Sequence, residues 1–548
     1  MLRWLKLRRL INKGRVRNIV EPAEDPPALH PEVQGHAAGI CTDFDRFSEL
    51  EISSLVRHGR CAGGNRFTPC YNAVRHLLGG RPVRCIIALL GCLLVTPLVA
   101  AEKPLQLHPD NPHYFLFRGQ PTILITSAEH YGAVLNAEFD YVKYLDELAA
   151  HQLNNTRIFS GAYCEPQGAF GIAKNTLAPG KGQFLAPWAR TDEPGYAGGG
   201  NKFDLSKWDD AYFARLKDFV KQAGKRGIVV EMCLFCPFYE EAQWALSPLN
   251  ANNNQQGLGK CARKDVYSLD KHDGLLKVQE ALIVKIVSEL NEFDNLYYEI
   301  CNEPYFGGVR PEWQRHVADL IVATEKQLPQ QHLISQNVAN GTAKVEQPHP
   351  AISIFNFHYA SPPQCVAMNF ALNKVIGENE TGFKGTGDEH YRKEAWQFIL
   401  AGGGLYNHLD YSFAVGHEDG TFEYPKSQPG GGNRGYRQQM QTLADFMKRF
   451  DFVRMRPDTK AIRGGLPDKA EAYVLSEPGK QYAIHLFGSG KAKLQIAMPQ
   501  GRYRIRWVSP KTGVRHEGEL VDFAGETLDL PEVVLEPDVA ISVMREDE

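Results

Sequence analysis

Short apolar runs alternate with amphipathic stretches along residues 102–455. Runs such as 121–126 and 227–235 are rich in aliphatic residues, as is typical of buried strands. The segment 209–226 instead has apolar residues three and four positions apart, which places them on one face of a helix. About eight strands separated by helices predict parallel pairing, and they fit a closed barrel better than an open sheet. The predicted fold class is therefore α/β, a (β/α)8 TIM barrel.

The pattern changes near residue 456, where the helical spacing ends. Short runs with strand character follow one another, separated by Gly and Pro turns. The predicted strands cover 471–475, 481–486, 492–498, 503–507 and 539–543. We therefore expect residues 456–548 to form a small all-β sandwich that follows the barrel as an accessory domain.

Residues 1–101 have the character of a leader. The apolar run 85–95 follows Arg81 and Arg84, and small residues precede a polar segment at Ala101. This order is typical of a secretory signal peptide, so segment 81–101 predicts a secreted or periplasmic protein without a stable membrane partner after cleavage. The alternative is a membrane anchor formed by residues 85–99. For residues 1–80 we expect either disorder or an upstream extension that is not translated.

The charge balance argues against a nucleic-acid partner, because 61 basic residues face 64 acidic ones without a basic cluster beyond the leader. No Gly-rich phosphate fingerprint follows the first strand, and no metal-binding motif is present, so neither a cofactor nor a metal is expected. Cys233 and Cys236 have redox or metal spacing, but no second Cys pair or His cluster lies nearby. A structural role is the favoured interpretation for both.

Two glutamates stand at the ends of predicted strands. Glu303 follows Asn302 after the fourth strand, and Glu378 follows the apolar part of the seventh. Catalytic groups of such barrels project from the carboxyl ends of the strands, so the two carboxylates are expected to face each other. A facing pair of carboxylates is what glycoside hydrolysis needs. Glu380 is the alternative nucleophile, since residues two apart on a strand point the same way.

These motifs resemble the cellulase and mannanase group of glycoside hydrolase clan A, especially its family-5-like members. The resemblance implies that Glu303 is the acid/base, that Asn302 holds a sugar hydroxyl and that Glu378 is the nucleophile. It also implies that Arg157 orients this nucleophile. The pair His358 and Tyr359 resembles the strand-six residues that line the site in this group.

Other positions bear on substrate binding. His130 and Tyr131 follow the first strand and are expected to line the pocket. The tryptophan that often floors the central subsite in this group is not evident near the eighth strand, where the segment 406–411 stands instead. This departure leaves the shape of that subsite open.

Two functions follow from these observations. The first is a retaining glycosidase that cleaves O-glycosidic bonds of a poly- or oligosaccharide, with the carbohydrate substrate as its partner. The alternative is a catalytically inactive barrel or sandwich that binds carbohydrate. The residues leave the identity of the sugar, endo or exo action and the oligomeric state open.

Overall fold

The computed structural model describes residues 103–546, so the predicted leader lies outside the described residues. Eight parallel strands pair in the order β1–β8–β7–β6–β5–β4–β3–β2. They are β1 (Leu124–Ala128), β2 (Asn155–Phe159), β3 (Val229–Phe235), β4 (Leu296–Cys301), β5 (Ile334–Asn340), β6 (Ile352–His358), β7 (Val375–Glu380) and β8 (Leu405–Leu409). The predicted α/β barrel is confirmed, and it is nearly closed.

The side chain of Asn154 joins the two strands at which the hydrogen-bonded path ends. Its Oδ1 accepts a bond from the amide of Ile125 at 2.8 Å, and its Nδ2 donates to the carbonyl of Ile123 at 2.9 Å. At the other end of the seam, the amide of Phe159 donates to the carbonyl of Tyr131 at 3.1 Å. These contacts hold β1 beside β2, so the loops that follow both strands share one side of the barrel mouth.

Helices cover the outside of the barrel wherever the sequence has the helical spacing. They are α1 (Tyr141–Ala150), α2 (Asp210–Lys225), α3 (Leu275–Leu290), α4 (Pro311–Glu325), α5 (Gln364–Asn369), α6 (Asp388–Leu400) and α7 (Arg434–Met447). The segment 341–351, which connects β5 to β6, forms no helix. Two short helices, Glu241–Leu246 and Pro304–Gly307, follow β3 and β4 at the mouth.

An antiparallel hairpin interrupts the unit between β2 and α2. Its strands are Trp188–Pro194 and Asn201–Trp208. This hairpin was not among the predicted elements. The hairpin belongs to a long insertion after β2 that also includes residues 161–187. A smaller sheet of Gln106–Leu107, Phe115–Phe117 and Gln120–Thr122 precedes β1.

A β-sandwich follows α7, as predicted. Its larger sheet contains Arg456–Pro457, Glu471–Glu477, Gln481–Phe487, Gly501–Val508, Arg515–His516, Leu520–Phe523 and Asp538–Arg545. The facing strands are Ile462–Gly464, Gly490–Ala492, Gln495–Met498, Glu526–Asp529 and Val533–Leu535. Alternate residues of both layers, such as Ile484 and Ile496, are buried in a separate apolar core. Among residues 103–546, no helix combines the length and apolar character needed to cross a membrane.

Helix α6 carries the contact between barrel and sandwich. Arg392 is 2 % exposed and donates to Asp538 at 2.8 Å and to Gln439 at 3.0 Å. One turn later, the ring of Trp396 stacks on His485 of the sandwich, with 5.4 Å between the ring centroids. The two cores are thereby joined through a buried ion pair and a stacked ring.

We expect Arg392→Ala to lower the free energy of unfolding by about 3–5 kcal/mol, because it leaves Asp538 buried without its cationic partner. Lys393→Ala is the matched control, because the neighbouring Lys393 pairs with the partly exposed Glu471 and such pairs contribute about 0–1 kcal/mol. Denaturant unfolding followed by circular dichroism measures both values. Equal losses in the two variants would contradict the importance of the buried pair.

Candidate active site

Glu303 lies at the mouth of the barrel, directly after β4. Its backbone adopts φ 33°, in the left-handed region that side chains other than glycine rarely occupy. Tyr131 and Tyr359 at the same mouth also have positive φ values, 68° and 52°. Such strain persists only where surrounding contacts impose it, and it is concentrated at functional sites.

The structure brings Glu380, and not Glu378, to Glu303. Residues Phe357 and His358 of β6 pair with Glu378 and Glu380 of β7, so Asn379 is an extra residue in the ladder. This bulge interrupts the alternation of side chains between the two faces of the strand, so Glu378 and Glu380 point in different directions. The expectation that residues 378 and 380 point the same way is therefore wrong.

Glu378 lies fully buried on the side of β7 that packs against helix α6. Its Oε1 accepts a bond from the amide of Ala360 at 2.7 Å, and its carboxyl group contacts that of Glu394. Burial and the neighbouring Glu394 raise the pKa of Glu378 well above its usual value. A carboxyl that holds its proton and faces a helix is unsuited to attack a substrate in the mouth.

Arg157 lies at the centre of the barrel with no exposed surface. Its guanidinium donates to Glu299 at 2.7 Å, to Asn302 at 2.8 Å and to Glu380 at 3.3 Å. The expected contact of Arg157 with Glu378 is therefore replaced by one with Glu380. The same cation positions the carboxylate of β7 and the amide that precedes Glu303.

His358 and Tyr359 hold Glu380 from the end of β6. The hydroxyl of Tyr359 donates to Glu380 at 2.7 Å, and the His358 ring lies 3.5 Å from it. Burial opposes the charge of Glu380, but His358, Arg157 and Tyr359 outweigh it and lower the pKa of this carboxyl well below its usual range. Glu380 is therefore a carboxylate at neutral pH.

The His358 imidazole lies between the two carboxyl groups. Its Nδ1 is 3.2 Å from Glu303, and its Nε2 is 2.6 Å from the amide nitrogen of Asn337. Burial lowers the pKa of His358, yet the charges of Glu380 and Glu303 raise it overall to about 9. Oxygen atoms of Glu303 and Glu380 lie within 4.8 Å of each other around this ring.

Tyr239, which follows β3, completes the contacts of Glu303. Its hydroxyl donates to Glu303 at 2.8 Å and accepts a bond from Asn302 at 2.8 Å. Asn302 also lies 3.6 Å from the sulfur of Cys236. The amide of Asn302 is thus oriented from three sides, by Arg157, Tyr239 and Cys236.

His130 and Tyr131 stack on each other at the mouth, where the sequence analysis expected them to line a pocket. The Tyr131 ring lies 4.5 Å from the guanidinium carbon of Arg157, close to Glu380. His130 is 9 % exposed, and neither of its ring nitrogens has a hydrogen-bond partner. Its nearest anion is Glu165, 3.8 Å away.

A polar network below the mouth anchors these side chains. Glu231 on β3 accepts bonds from Asn356 at 2.9 Å and from Asn379 at 3.0 Å. Burial and the charge of Glu299 raise the pKa of Glu231 to about 8. The inward side chain of the bulged Asn379 is therefore fixed by the network that also holds Arg157.

Within the described chain, Glu303, His358 and Glu380 are the group of side chains close enough to one another to hold a metal ion. A metal needs the neutral imidazole as its ligand. In this structure the His358 ring lies between the two carboxyl groups, at 3.2 Å from Glu303 and 3.5 Å from Glu380.

Several residues at the site were missed by the sequence analysis. Tyr239 and Glu165 stand in loops after β3 and β2, and Glu299 points into the barrel from β4. Searching for polar residues after every strand would have found Tyr239. The six cysteines of the described chain are free thiols, and Cys233 and Cys236 are buried at the end of β3.

We expect Glu378→Gln to lose less stability than the native protein between about pH 5 and about pH 8. Burial raises the pKa of Glu394 to about 7, and that of Glu378 is also raised. A carboxyl with a raised pKa in the fold contributes stability below its unfolded pKa, and this is lost as the pH rises through the folded value. Thermal unfolding across this range measures the effect, with the exposed Glu389→Gln as control. Parallel pH profiles for both variants and the native chain would contradict it.

No family model matches the sequence, and no curated protein sequence is similar to it. The fold is shared with solved structures. A candidate glycoside hydrolase from Bacteroides vulgatus aligns with a TM-score of 0.58 and 12% identity, over 81% of this chain and 83% of that one.

A further glycoside hydrolase aligns with a TM-score of 0.56 and 12% identity, over 81% of this chain and 98% of that one. A family 5 glycoside hydrolase from Bacteroides vulgatus aligns with a TM-score of 0.55 and 14% identity, over 81% and 93%. At these identities the likeness concerns the fold: this chain has the architecture of solved glycoside hydrolases.

Proposed function

We propose that the protein is a retaining glycoside hydrolase in which Glu303 is the acid/base and Glu380 the nucleophile. The observation that carries this proposal is the facing pair of carboxyl groups, with oxygen atoms within 4.8 Å of each other. Retaining enzymes keep their two carboxyl groups about 5–5.5 Å apart, whereas inverting enzymes need about 6.5–9.5 Å to admit a water. The resemblance to clan A supports Glu303 as the acid/base, and the fold shared with solved glycoside hydrolases supports the reaction class.

In the first step, Glu380 attacks the anomeric carbon while Glu303 gives its proton to the leaving oxygen. Arg157, His358 and Tyr359 keep Glu380 ionised and aimed at the mouth. In this proposal Asn302 binds the sugar hydroxyl next to the reacting carbon, as the resemblance to clan A implies. In the second step, Glu303 takes a proton from a water, which attacks the glycosyl–enzyme and frees Glu380.

The environments of the two carboxyl groups support different roles. Glu380 has two cations near it, and these lower its pKa. Glu303 is approached by the Tyr239 hydroxyl and by His358, which it shares with Glu380. A permanent carboxylate suits the nucleophile, whereas the acid/base must gain and lose a proton in each turnover. The second candidate, an inactive carbohydrate-binding barrel, would not require a charge-stabilised Glu380.

Export from the cytoplasm remains our expectation for the chain, on the strength of segment 81–101. A polysaccharide or large glycoconjugate outside the cell would be a natural substrate for an exported glycosidase. N-terminal sequencing of secreted material tests this expectation: a product that begins near residue 102 supports it, and a cytosolic chain that retains residues 1–80 contradicts it.

We expect Glu303→Gln to lose about 10²–10⁴-fold in kcat/KM on substrates with poor leaving groups. Activated aryl glycosides should lose much less, because a good leaving group needs little protonation. Steady-state kinetics on both substrate classes measure the difference. Equal losses on the two classes would remove Glu303 from the acid role.

We expect the first product to keep the anomeric configuration of the substrate, since two inversions in sequence give net retention. Proton NMR at early times of the reaction reads the anomer before it mutarotates. Glu380→Gln should abolish this turnover, while Glu378→Gln, two residues away and outside the mouth, should retain it. Turnover by the first variant and loss in the second would restore the sequence-based assignment of the nucleophile.

A further inference from the structure

Eight aromatic side chains at the mouth form a closed circuit of ring contacts. In order around the circuit they are Tyr131, Phe159, Tyr163, Tyr239, Phe170, Phe383, Tyr411 and His130, and neighbouring ring centroids lie 5.1–6.5 Å apart. These side chains come from the loops and strand ends of β1, β2, β3, β7 and β8. The loops after β4, β5 and β6 contribute none of them, so the circuit walls one side of the mouth.

Phe170 is the member that crosses the mouth. It comes from the insertion after β2, and its ring contacts Tyr239 beyond β3 and Phe383 beyond β7, at 5.5 and 6.5 Å. Tyr239 holds Glu303, and the ring of Phe383 lies 6.3 Å from that of Tyr359, which holds Glu380. Phe170 therefore links the supports of both carboxyl groups.

The segment around Phe170 is held in this place. Its backbone is left-handed, with φ 55° and ψ 9°. The amide of Ala173 donates to Gln428 in the loop after β8 at 3.0 Å, and the ammonium of Lys174 lies 5.0 Å from the centroid of the Phe422 ring. The insertion after β2 and the loop after β8 thus meet and close this side of the barrel mouth.

Polar groups also lie on the side of the mouth that the insertion after β2 and the loop after β8 close. His130 has two ring nitrogens without hydrogen-bond partners, although the residue is nine-tenths buried. Beside it, Glu165 accepts bonds from Tyr163 at 3.0 Å and from Asn175 at 2.5 Å. Sugar sites combine aromatic walls with a few fixed polar groups that bind hydroxyls. His130 and the Glu165 carboxylate, 3.8 Å apart, are the polar groups that this side offers to a sugar hydroxyl.

The opposite side of Glu303 has a different character. Tyr305 and Phe306 follow Glu303 directly and are 36% and 38% exposed. Next to them, a cavity of about 330 Å³ runs between the loops after β4 and β5, lined in part by Tyr305, Asn337 and Gln347. Because Glu303 would protonate the leaving oxygen, this open side is where the leaving group belongs.

We propose that the enzyme acts on chain ends: the aromatic circuit forms a blind pocket for one terminal neutral sugar, and the remaining chain leaves over Tyr305 and Phe306. This inference rests on the proposed function. The pocket is short, because His130 stacks on Tyr131, whose ring covers the Arg157 that bonds Glu380. One sugar ring therefore occupies the space between the wall and the reacting carbon. Phe170 determines this specificity by blocking passage of a longer chain.

Hexasaccharides of β-linked glucose, mannose and xylose, labelled at the reducing end, test the proposal together with the matching polysaccharides. On the sugar that is cleaved, labelled products should shorten by one unit at a time, and the viscosity of the polysaccharide should fall slowly. Early fragments from the middle of the chain would overturn the blind pocket but leave the glycosidase standing. Absence of hydrolysis of all of these and of aryl glycosides would contradict the proposed function itself.

Phe170→Gly tests whether Phe170 determines the chain-end specificity, since glycine accepts the left-handed backbone and removes the bridging ring. The ratio of internal to terminal cleavage should rise by about tenfold or more, as expected when a pocket contact is lost. Lys469→Gly, an exposed left-handed position (φ 64°) in the sandwich, is the matched control and should keep the native product pattern. An unchanged pattern in folded Phe170→Gly would overturn the role of Phe170. Should that variant not fold, the product series of the native enzyme still decides the proposal.

Discussion

The buried guanidinium of Arg157 is the interaction on which the site depends. It bonds Glu299 inside the barrel, Asn302 before the acid/base candidate and Glu380 at the end of β7. A charge without exposed surface is tolerated only with such partners, since an unpaired buried ion is costly. The partners are in turn fixed by the barrel strands. One side chain from β2 thus couples the ends of β4 and β7, although these lie far apart in sequence.

In barrels of this kind the strands form the packed core, and the loops that follow them vary with function. The carboxyl pair stands on strand ends, while the insertion after β2 and the loop after β8 shape one side of the mouth. His358 joins the two carboxyl groups, because its ring contacts both of them, and its Nε2 lies 2.6 Å from the side-chain amide of Asn337 on β5. In the proposed function, reaction type and substrate choice are therefore controlled by different parts of the chain.

The sequence predicted the elements well because their signals are local: the segment 209–226 forms helix Asp210–Lys225, and the run 227–235 forms strand Val229–Phe235. Glu303 could be singled out from its strand-end position. The sequence did not reveal that Glu380, rather than Glu378, lies next to Glu303, because the bulge at Asn379 depends on pairing with β6 and on the interior network. The aromatic circuit was equally hidden, since its rings come from five separate parts of the barrel.

Trapping the glycosyl–enzyme tests the central claim most directly. A 2-deoxy-2-fluoro glycoside with an activated leaving group slows both steps, the second more than the first, so the covalent intermediate accumulates. Mass spectrometry of the digested protein then locates the label. We expect one sugar attached to Glu380, with the label absent in Glu380→Gln and present in Glu378→Gln. A label on Glu378, or turnover that gives the inverted anomer without any label, would contradict it.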